Sequence, residues 1–268
     1  MTEMRVRDIM STQVYAVTPG EPLSRARNLM LRHKISRLLV LMHDEPVGML
    51  TKADITCRLN QAEPQWRRRP IDQIPVQLVM TKSLIGIYPD ATLSQACELL
   101  LENDIGGLVV RDEDLQGIIT KWDMIMHISK HPADIRACDV MSDFIAVVHQ
   151  QHSVGHVIHT MDTEDVDRVV VIEYGGKPIG MITNSNLAFG CASDPRGRDK
   201  KFLEVPVVAE DIMSTPLITI PEDGFVTDAA RTMVDELINS IIVIDAESDV
   251  IGILDQESIL RGIIMLGE

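Results

Sequence analysis

Two seven-residue stretches hold the residue types from which a binding site can be built. Gly48-Met49-Leu50-Thr51-Lys52-Ala53-Asp54 and Gly117-Ile118-Ile119-Thr120-Lys121-Trp122-Asp123 share the pattern G-h-h-T-K-x-D, where h is apolar, and lie 69 residues apart. Each reads as the end of a buried strand breaking into a helix that begins at Thr. The first N–H groups of a helix are unpaired and point outward, so they attract anions. A Thr there caps the helix or offers a hydroxyl to a phosphate or a sugar. An Asp three residues on can accept bonds from both hydroxyls of a ribose, the task a carboxylate performs in dinucleotide-binding folds. Lys52 and Lys121 add positive charge beside each helix start. The same T-x-x-D spacing is also close to a capping box, which needs no ligand. Two weaker copies follow, Gly180-Met181-Ile182-Thr183-Asn184-Ser185-Asn186 and Gly252-Ile253-Leu254-Asp255-Gln256-Glu257-Ser258. In the third copy Asn186 stands where the others have Asp, and in the fourth Asp255 and Ser258 replace Thr and Asp.

The elements that position these motifs also recur. A signature precedes each copy: Asp8-Ile9-Met10-Ser11, Leu78-Val79-Met80-Thr81, Asp139-Val140-Met141-Ser142 and Asp211-Ile212-Met213-Ser214. A short strand and a turn come next, with Pro19 and Pro89 in the first two copies. Then comes an amphipathic helix. Counting from Leu23, Leu93, Val154 and Val226, position plus three is Ala26, Ala96, Val157 and Ala229, and position plus seven is Met30, Leu100, Met161 and Met233. That spacing puts them on one helix face. Position plus fourteen opens an apolar strand at Arg37, Gly107, Arg168 and Ser240. The strand carrying G-h-h follows, then the motif helix. Each unit therefore reads β-α-β-β-α, an α/β (α+β) architecture repeated four times. Such units are too small to bury a core alone and should pair. The predicted repeats are 1–60, 76–131, 134–190 and 208–268, grouped as modules 1–133 and 134–268.

Charge divides the chain. Residues 1–133 hold 16 Lys/Arg and 16 Asp/Glu, and residues 134–268 hold 9 and 24. From Ala209 onward there are 2 basic residues against 13 acidic ones. Such a surface repels anions and nucleic acid, so a phosphate is expected in the first half. Aromatic residues make up 3% of the chain, so the core must be aliphatic. No apolar run approaches the roughly 18 residues of a membrane span. The start, MTEMRVRDIM, has no apolar stretch of the secretory kind. Cys57, Cys97, Cys138 and Cys191 form no C-x-x-C, so neither zinc nor disulfides are indicated. A soluble cytoplasmic protein is the expectation, and neither a nucleophile elbow nor a P-loop points to an enzyme.

Taken together, the D-h-M-S/T signature, the Pro turn, the helix, the h-h-V-h strand and G-h-h-T-x-x-D resemble the CBS domain. Four such units resemble two tandem pairs, or Bateman modules, and the layout is similar to that of the gamma subunit of AMP-activated protein kinase and its archaeal relatives. The resemblance implies a non-enzymatic sensor of AMP, ADP or ATP that signals to a protein partner by conformational change. Alternatives are a sensor of S-adenosylmethionine or methylthioadenosine, or an interaction protein, regulating an enzyme or the ribosome, whose ligand sites are vestigial. It also implies that each pocket is shared across a pair. Pocket A joins Thr51, Lys52 and Asp54 to Leu84, Ile85, Ile105, Gly106 and Gly107. Pocket B joins Thr120, Lys121 and Asp123 to Val14, Tyr15, Ile35, Ser36 and Arg37. Pocket B has an arginine fork for a phosphate and is the one expected to hold a nucleotide; Tyr15 would lie against the adenine. Pocket A faces two glycines where the family often carries basic residues. In the second module Thr183, Asn186 and Arg168 are the weaker ligand candidates, with Asp167 offsetting Arg168, and a structural or partner-facing role is expected. Such modules form disks, within one chain or by pairing of two chains.

Two further clusters have bland readings. His149, His152, His156 and His159 have spacing that would share one face of a continuous helix. The repeat alignment starts that helix near Ser153, which leaves the first two in a strand exit and a turn, so no metal site is expected. Trp66-Arg67-Arg68-Arg69, and Arg196, Arg198, Lys200 and Lys201, fall in two equivalent connectors and read as solvated charge, not as an RNA-binding surface.

Overall fold

The alternation of short apolar strands with amphipathic helices is realised four times in a computed structural model, which describes residues 4–60, 70–190 and 207–267. The first repeat comprises α1 (Val6–Ile9), β1 (Ala16–Val17), α2 (Leu23–His33), β2 (Arg37–Met42), β3 (Glu45–Thr51) and α3 (Lys52–Asn60). In the second, a 3-10 turn (Val76–Leu78) precedes β4 (Gly86–Ile87), α4 (Leu93–Glu102), β5 (Gly107–Arg111), β6 (Leu115–Thr120) and α5 (Lys121–Lys130). The third contains α6 (Ala137–Val140), β7 (Val147–His149), α7 (Val154–Thr163), β8 (Arg168–Ile172), β9 (Pro178–Thr183) and α8 (Asn184–Gly190). The fourth contains α9 (Ala209–Ile212), β10 (Thr219–Pro221), α10 (Val226–Glu236), β11 (Ser240–Ile244), β12 (Val250–Asp255) and α11 (Gln256–Leu266). The basic clusters at 66–69 and 196–201 lie outside the described residues. The first motif helix runs on to Asn60.

Each repeat builds one three-stranded sheet in the order of its strands. The first strand pairs parallel with the second, and the second antiparallel with the third. The second strand is therefore central, and its apolar run is covered on both faces. Leu38, Leu39, Val40, Leu108, Val109 and Val110 are at most 2% exposed, as are Val169, Val170, Val171, Ile241, Ile242 and Val243. Burying each such side chain contributes about 1.5–3 kcal/mol. The helix positions singled out by spacing, Ala26, Met30, Ala96, Leu100, Val157, Met161, Ala229 and Met233, are all buried.

The signature has a structure that its sequence did not announce. It forms a single helical turn in each repeat. In three of them the signature Asp closes the turn: Asp8, Asp139 and Asp211 each accept the backbone N–H three residues earlier, from Arg5, Arg136 and Val208. The second repeat has Leu78 at that position and winds as a 3-10 turn instead.

These turns pack on the partner repeat. Val6 and Arg7 donate backbone N–H groups to the Ala91 and Pro89 carbonyls of the second repeat, while Val76 and Gln77 donate to Glu21 and Pro19 of the first. Ile74 and Val76 join the first repeat's core. The same exchange occurs between the third and fourth repeats, where Ala137 and Cys138 bond to Gly224 and Glu222, and Ala209 and Glu210 bond to His152 and Gln150. Ala209 and Ile212 complete the third repeat's core. The chain divides into two compact units, Met1–His127 with Ile263–Glu268, and Ile128–Gly262. Among the described residues no helix is long and apolar enough to cross a membrane.

Candidate functional site

The T-x-x-D boxes form in full. Asp54 Oδ2 accepts both the N–H and the hydroxyl of Thr51 at 2.7 Å, and Thr51 Oγ1 accepts the Asp54 N–H at 3.1 Å. Thr120 and Asp123 repeat this at 2.8, 2.7 and 3.3 Å. Thr183 bonds in the same way to Asn186 Oδ1. In the fourth copy the polarity is reversed, and Ser258 donates its N–H and hydroxyl to Asp255. The capping role is thus common to all four repeats. It occupies one carboxylate oxygen of each motif Asp and leaves the other outside the cap.

In Asp123 that second oxygen meets a residue that lies outside both T-x-x-D motifs. Asp123 Oδ1 accepts the hydroxyl of Ser11, from the other repeat's signature, at 3.3 Å. In the second unit Asn186 Nδ2 donates to Ser214 Oγ at 2.9 Å. The recurrence of Ser or Thr at the end of all four signatures was the available signal. The contact follows from strand-like bridges that join the two motifs, Ser11 to Ile118 and Met49 to Thr81 in the first unit, Ser142 to Ile253 and Met181 to Ser214 in the second. The glycine of G-h-h permits this approach. A Cβ at Gly48 would lie 2.7 Å from Met80 Sδ, and one at Gly117 would lie 2.6 Å from the Ser11 carbonyl oxygen.

Arg37 does not stay within the residues grouped as pocket B. It begins β2 opposite Thr51. Its guanidinium lies on the two glycines assigned to pocket A: a Cβ at Gly106 would lie 2.6 Å from Nη2, and one at Gly107 would lie 2.6 Å from Nη1. Burial pulls the Arg37 guanidinium below its ordinary value, opposed first by Asp123 and then by Asp54. Among the described residues no hydrogen bond or close ion pair engages it. Burial likewise pushes the Asp123 carboxyl up, against the lowering pull of the Thr120 and Ser11 hydrogen bonds and of Arg37. Among the described residues the Arg37 fork is thus half-buried and unpaired, with both motif carboxylates acting on its charge. Arg37, grouped by sequence with Thr120 and Asp123, thus also lies against Gly106 and Gly107, which were grouped with Thr51 and Asp54.

Other candidates take more local roles. Tyr15 rests on the His33 ring, with centroids 4.1 Å apart, and packs on its own repeat's core, so one face is taken. Its carbonyl accepts the Leu39 N–H, as that of Ile85 accepts the Val109 N–H. The Ser36 and Gly106 carbonyls take the first N–H of the motif helices, from Lys52 and Lys121. Ile35 and Ile105 close their preceding helices on Met30 and Leu100. Lys121 is buried, whereas Lys52 is half-buried, as are Val14 and Leu84.

The second unit is arranged differently. Arg168, equivalent to Arg37, folds back onto its neighbour Asp167 through two bonds of 2.6 and 2.8 Å. Its Nη1 is buried without a partner among the described residues. A cavity of about 550 Å³ is bounded by Thr183, Asn186, Ser214, Asn239 and Arg168. Three of the histidines make tilted, edge-on ring contacts: His152 lies 4.1 Å from His156 and 5.9 Å from His149, whose other neighbour is Tyr174 at 4.0 Å. Among the described residues no group of three or more His, Cys, Asp or Glu is arranged to hold a metal.

A family model, the CBS domain, matches residues 6–60, 72–130, 137–190 and 208–264. The chain belongs to the CBS-domain family. CBS repeats account for most of its length, and only they are matched. Protein MJ1404 of Methanocaldococcus jannaschii is 25% identical over 262 residues, covering 91% of this chain and 58% of that protein. The chain therefore spans little more than half of this relative. Among solved structures, protein MJ1225 of the same organism, described as a proposed archaeal homolog of g-AMPK, superposes with a TM-score of 0.77 at 23% identity, covering 96% of this chain and 99% of that one. A conserved protein of Pyrococcus horikoshii gives 0.71 at 18% identity, covering 97% and 100%. Both likenesses establish the four-repeat fold.

Proposed function

We propose that this CBS-domain protein is a regulatory sensor whose first module binds a phosphate-bearing adenosine ligand, AMP, ADP or ATP, and signals by repacking its paired repeats. The observation that carries this reading is Arg37, whose guanidinium no hydrogen bond or close ion pair engages among the described residues and on whose charge both capped carboxylates act. Burying such a cation without a partner is costly. A phosphate would satisfy it through two parallel bonds, while the carboxylate oxygen outside the cap of Asp123 or Asp54 would accept ribose hydroxyls. Binding regulates only if one packing of the repeats holds the ligand better than another. The description of MJ1225 as a g-AMPK homolog is consistent with this ligand class.

The test is isothermal calorimetry with AMP, ADP, ATP, adenosine and S-adenosylmethionine on the wild type and on Arg37→Ala. Loss of a charge-assisted fork should weaken the phosphorylated ligands by about 10- to 100-fold and adenosine much less. Equal loss for adenosine, or preference for S-adenosylmethionine, would sink the phosphate reading.

A second reading is favoured by the open cavity of the second unit. Its cation is already neutralised by Asp167, so it suits an uncharged nucleoside held by Asn186 and Asn239. Adenosine heat that persists in Arg37→Ala and vanishes in Asn186→Ala would support it.

A further inference from the structure

Arg37 and Arg168 hold equivalent positions but follow different residues, Ser36 and Asp167. The backbone at these two positions does one job. The Ser36 carbonyl accepts the Lys52 N–H, and the Asp167 carbonyl accepts the Asn184 N–H. The side chain is not needed for that job, and in Asp167 it grips the arginine. Its carboxylate accepts Arg168 Nε at 2.6 Å and Nη2 at 2.8 Å, the two parallel bonds that a phosphate would otherwise make. The third nitrogen, Nη1, is buried with no hydrogen-bond partner among the described residues. The Arg168 side chain is 14% exposed and that of Asp167 61%, so the carboxylate can be exchanged without opening the core. Both residues line the cavity of about 550 Å³, beside the neutral amides and hydroxyls of Asn186, Ser214 and Asn239. Where the second repeat has Gly106 and Gly107, the fourth has Asn239 and Ser240, so Arg168 has no bare glycine pair to lie across.

We propose that Asp167 is the specificity-determining residue of this cavity: its carboxylate takes the place of a ligand phosphate on the Arg168 fork, so the cavity selects a neutral nucleoside over its phosphate ester. This rests on the second reading above, that the cavity takes a nucleoside. A phosphate entering here must displace Asp167, break two charge-assisted bonds to make two, and leave an ionised carboxylate beside itself. A neutral ligand uses the amides and hydroxyls and leaves the pair intact. With Ser at this position, as in the first repeat, Nε and Nη2 are released at the cavity wall and a phosphate becomes the favoured partner of the fork.

Competition dialysis on the full chain tests this. Labelled adenosine that the wild type binds and Asn186→Ala does not reports on the cavity. AMP should displace that fraction at least about 10-fold less well than unlabelled adenosine does. In Asp167→Ser, AMP should improve by about 10- to 100-fold, the worth of a charge-assisted fork, while adenosine changes by less than about threefold. AMP that matches adenosine in the wild type overturns the proposal, as does AMP that fails to improve in the folded variant. If circular dichroism shows Asp167→Ser to be unfolded, Asp167→Asn makes the same comparison, since it keeps the shape and one acceptor and loses the charge. Absence of any Asn186-dependent adenosine removes the nucleoside reading of the cavity and this proposal with it, and leaves the phosphate reading of the first module standing.

Discussion

At the scale of single residues, Asp123 serves two ends that pull apart. Its carboxyl is pushed up by burial, so the folded chain holds that proton more tightly than the unfolded chain does. This contribution favours folding below the ordinary carboxylate range and is lost as pH rises through the raised value. At neutral pH the ionised group is a net cost to the ligand-free fold. Asp123→Asn keeps an oxygen for the Thr120 cap while removing the charge. Its urea midpoint at pH 7 should be no lower than that of the wild type, and its advantage should disappear below pH ~4, where an ordinary carboxylate is protonated. AMP affinity measured by calorimetry should meanwhile fall by about 10- to 100-fold, since a charged acceptor for two hydroxyls becomes a neutral one. A residue retained at the expense of stability is what a binding role predicts, whereas a pure cap would show the opposite pattern. The paired motif residues were legible from spacing alone. The reach of Arg37 was not, because a long side chain goes wherever its neighbours leave room, and that room is made by glycines far along the chain, at 106 and 107.

At the scale of elements, the signature turn and the G-h-h strand act as one joint. Gly117→Ala would set a Cβ against the Ser11 backbone carbonyl, which cannot swing aside as a flexible side chain can. It should destabilise the first unit by about 1–3 kcal/mol in urea denaturation. The histidine contacts should give the second unit a pH response. The imidazole of His152 is held below its ordinary value of 6.5 by burial and then by His156 and His149. The fold is therefore favoured above that pH, and the advantage is lost as pH falls from 6.5 through the lowered value. His152→Gln should flatten the second unit's melting profile between about pH 7 and 5, the range in which a histidine titrates. The order of strands and helices was readable because apolar spacing changes from period two to period 3.6 at each boundary. Strand starts at Arg37, Gly107, Arg168 and Ser240 came from that alignment. The signature turn was missed because a single turn is too short to display a helical period, and its capping Asp looks like any polar residue before an apolar pair.

At the scale of the whole molecule, the division of charge matches the proposed division of ligands. The acidic residues of 134–268 and the Asp167–Arg168 pair disfavour an anion in the second unit, whereas the function proposed above assigns one to Arg37 in the first. Hydrogen exchange with saturating AMP should therefore slow amides of β2, β3, β5 and β6 and leave β8, β9, β11 and β12 unchanged. At a free concentration of about 100 times Kd the linked stabilisation is about 2.7 kcal/mol, enough to slow globally exchanging amides roughly a hundredfold. Equal protection in both units would contradict the assignment. The tandem organisation was visible in the repeat, yet the exchange of signatures was not, because it is a matter of which copy each turn visits. That exchange makes the pair, and not the repeat, the smallest piece that evolution can move between proteins. A chain cut between the first two repeats would leave each half with a signature that has no host and a core that lacks its lid. Two copies of such a half could satisfy both only by trading signatures with each other, so the half-module is built to dimerise.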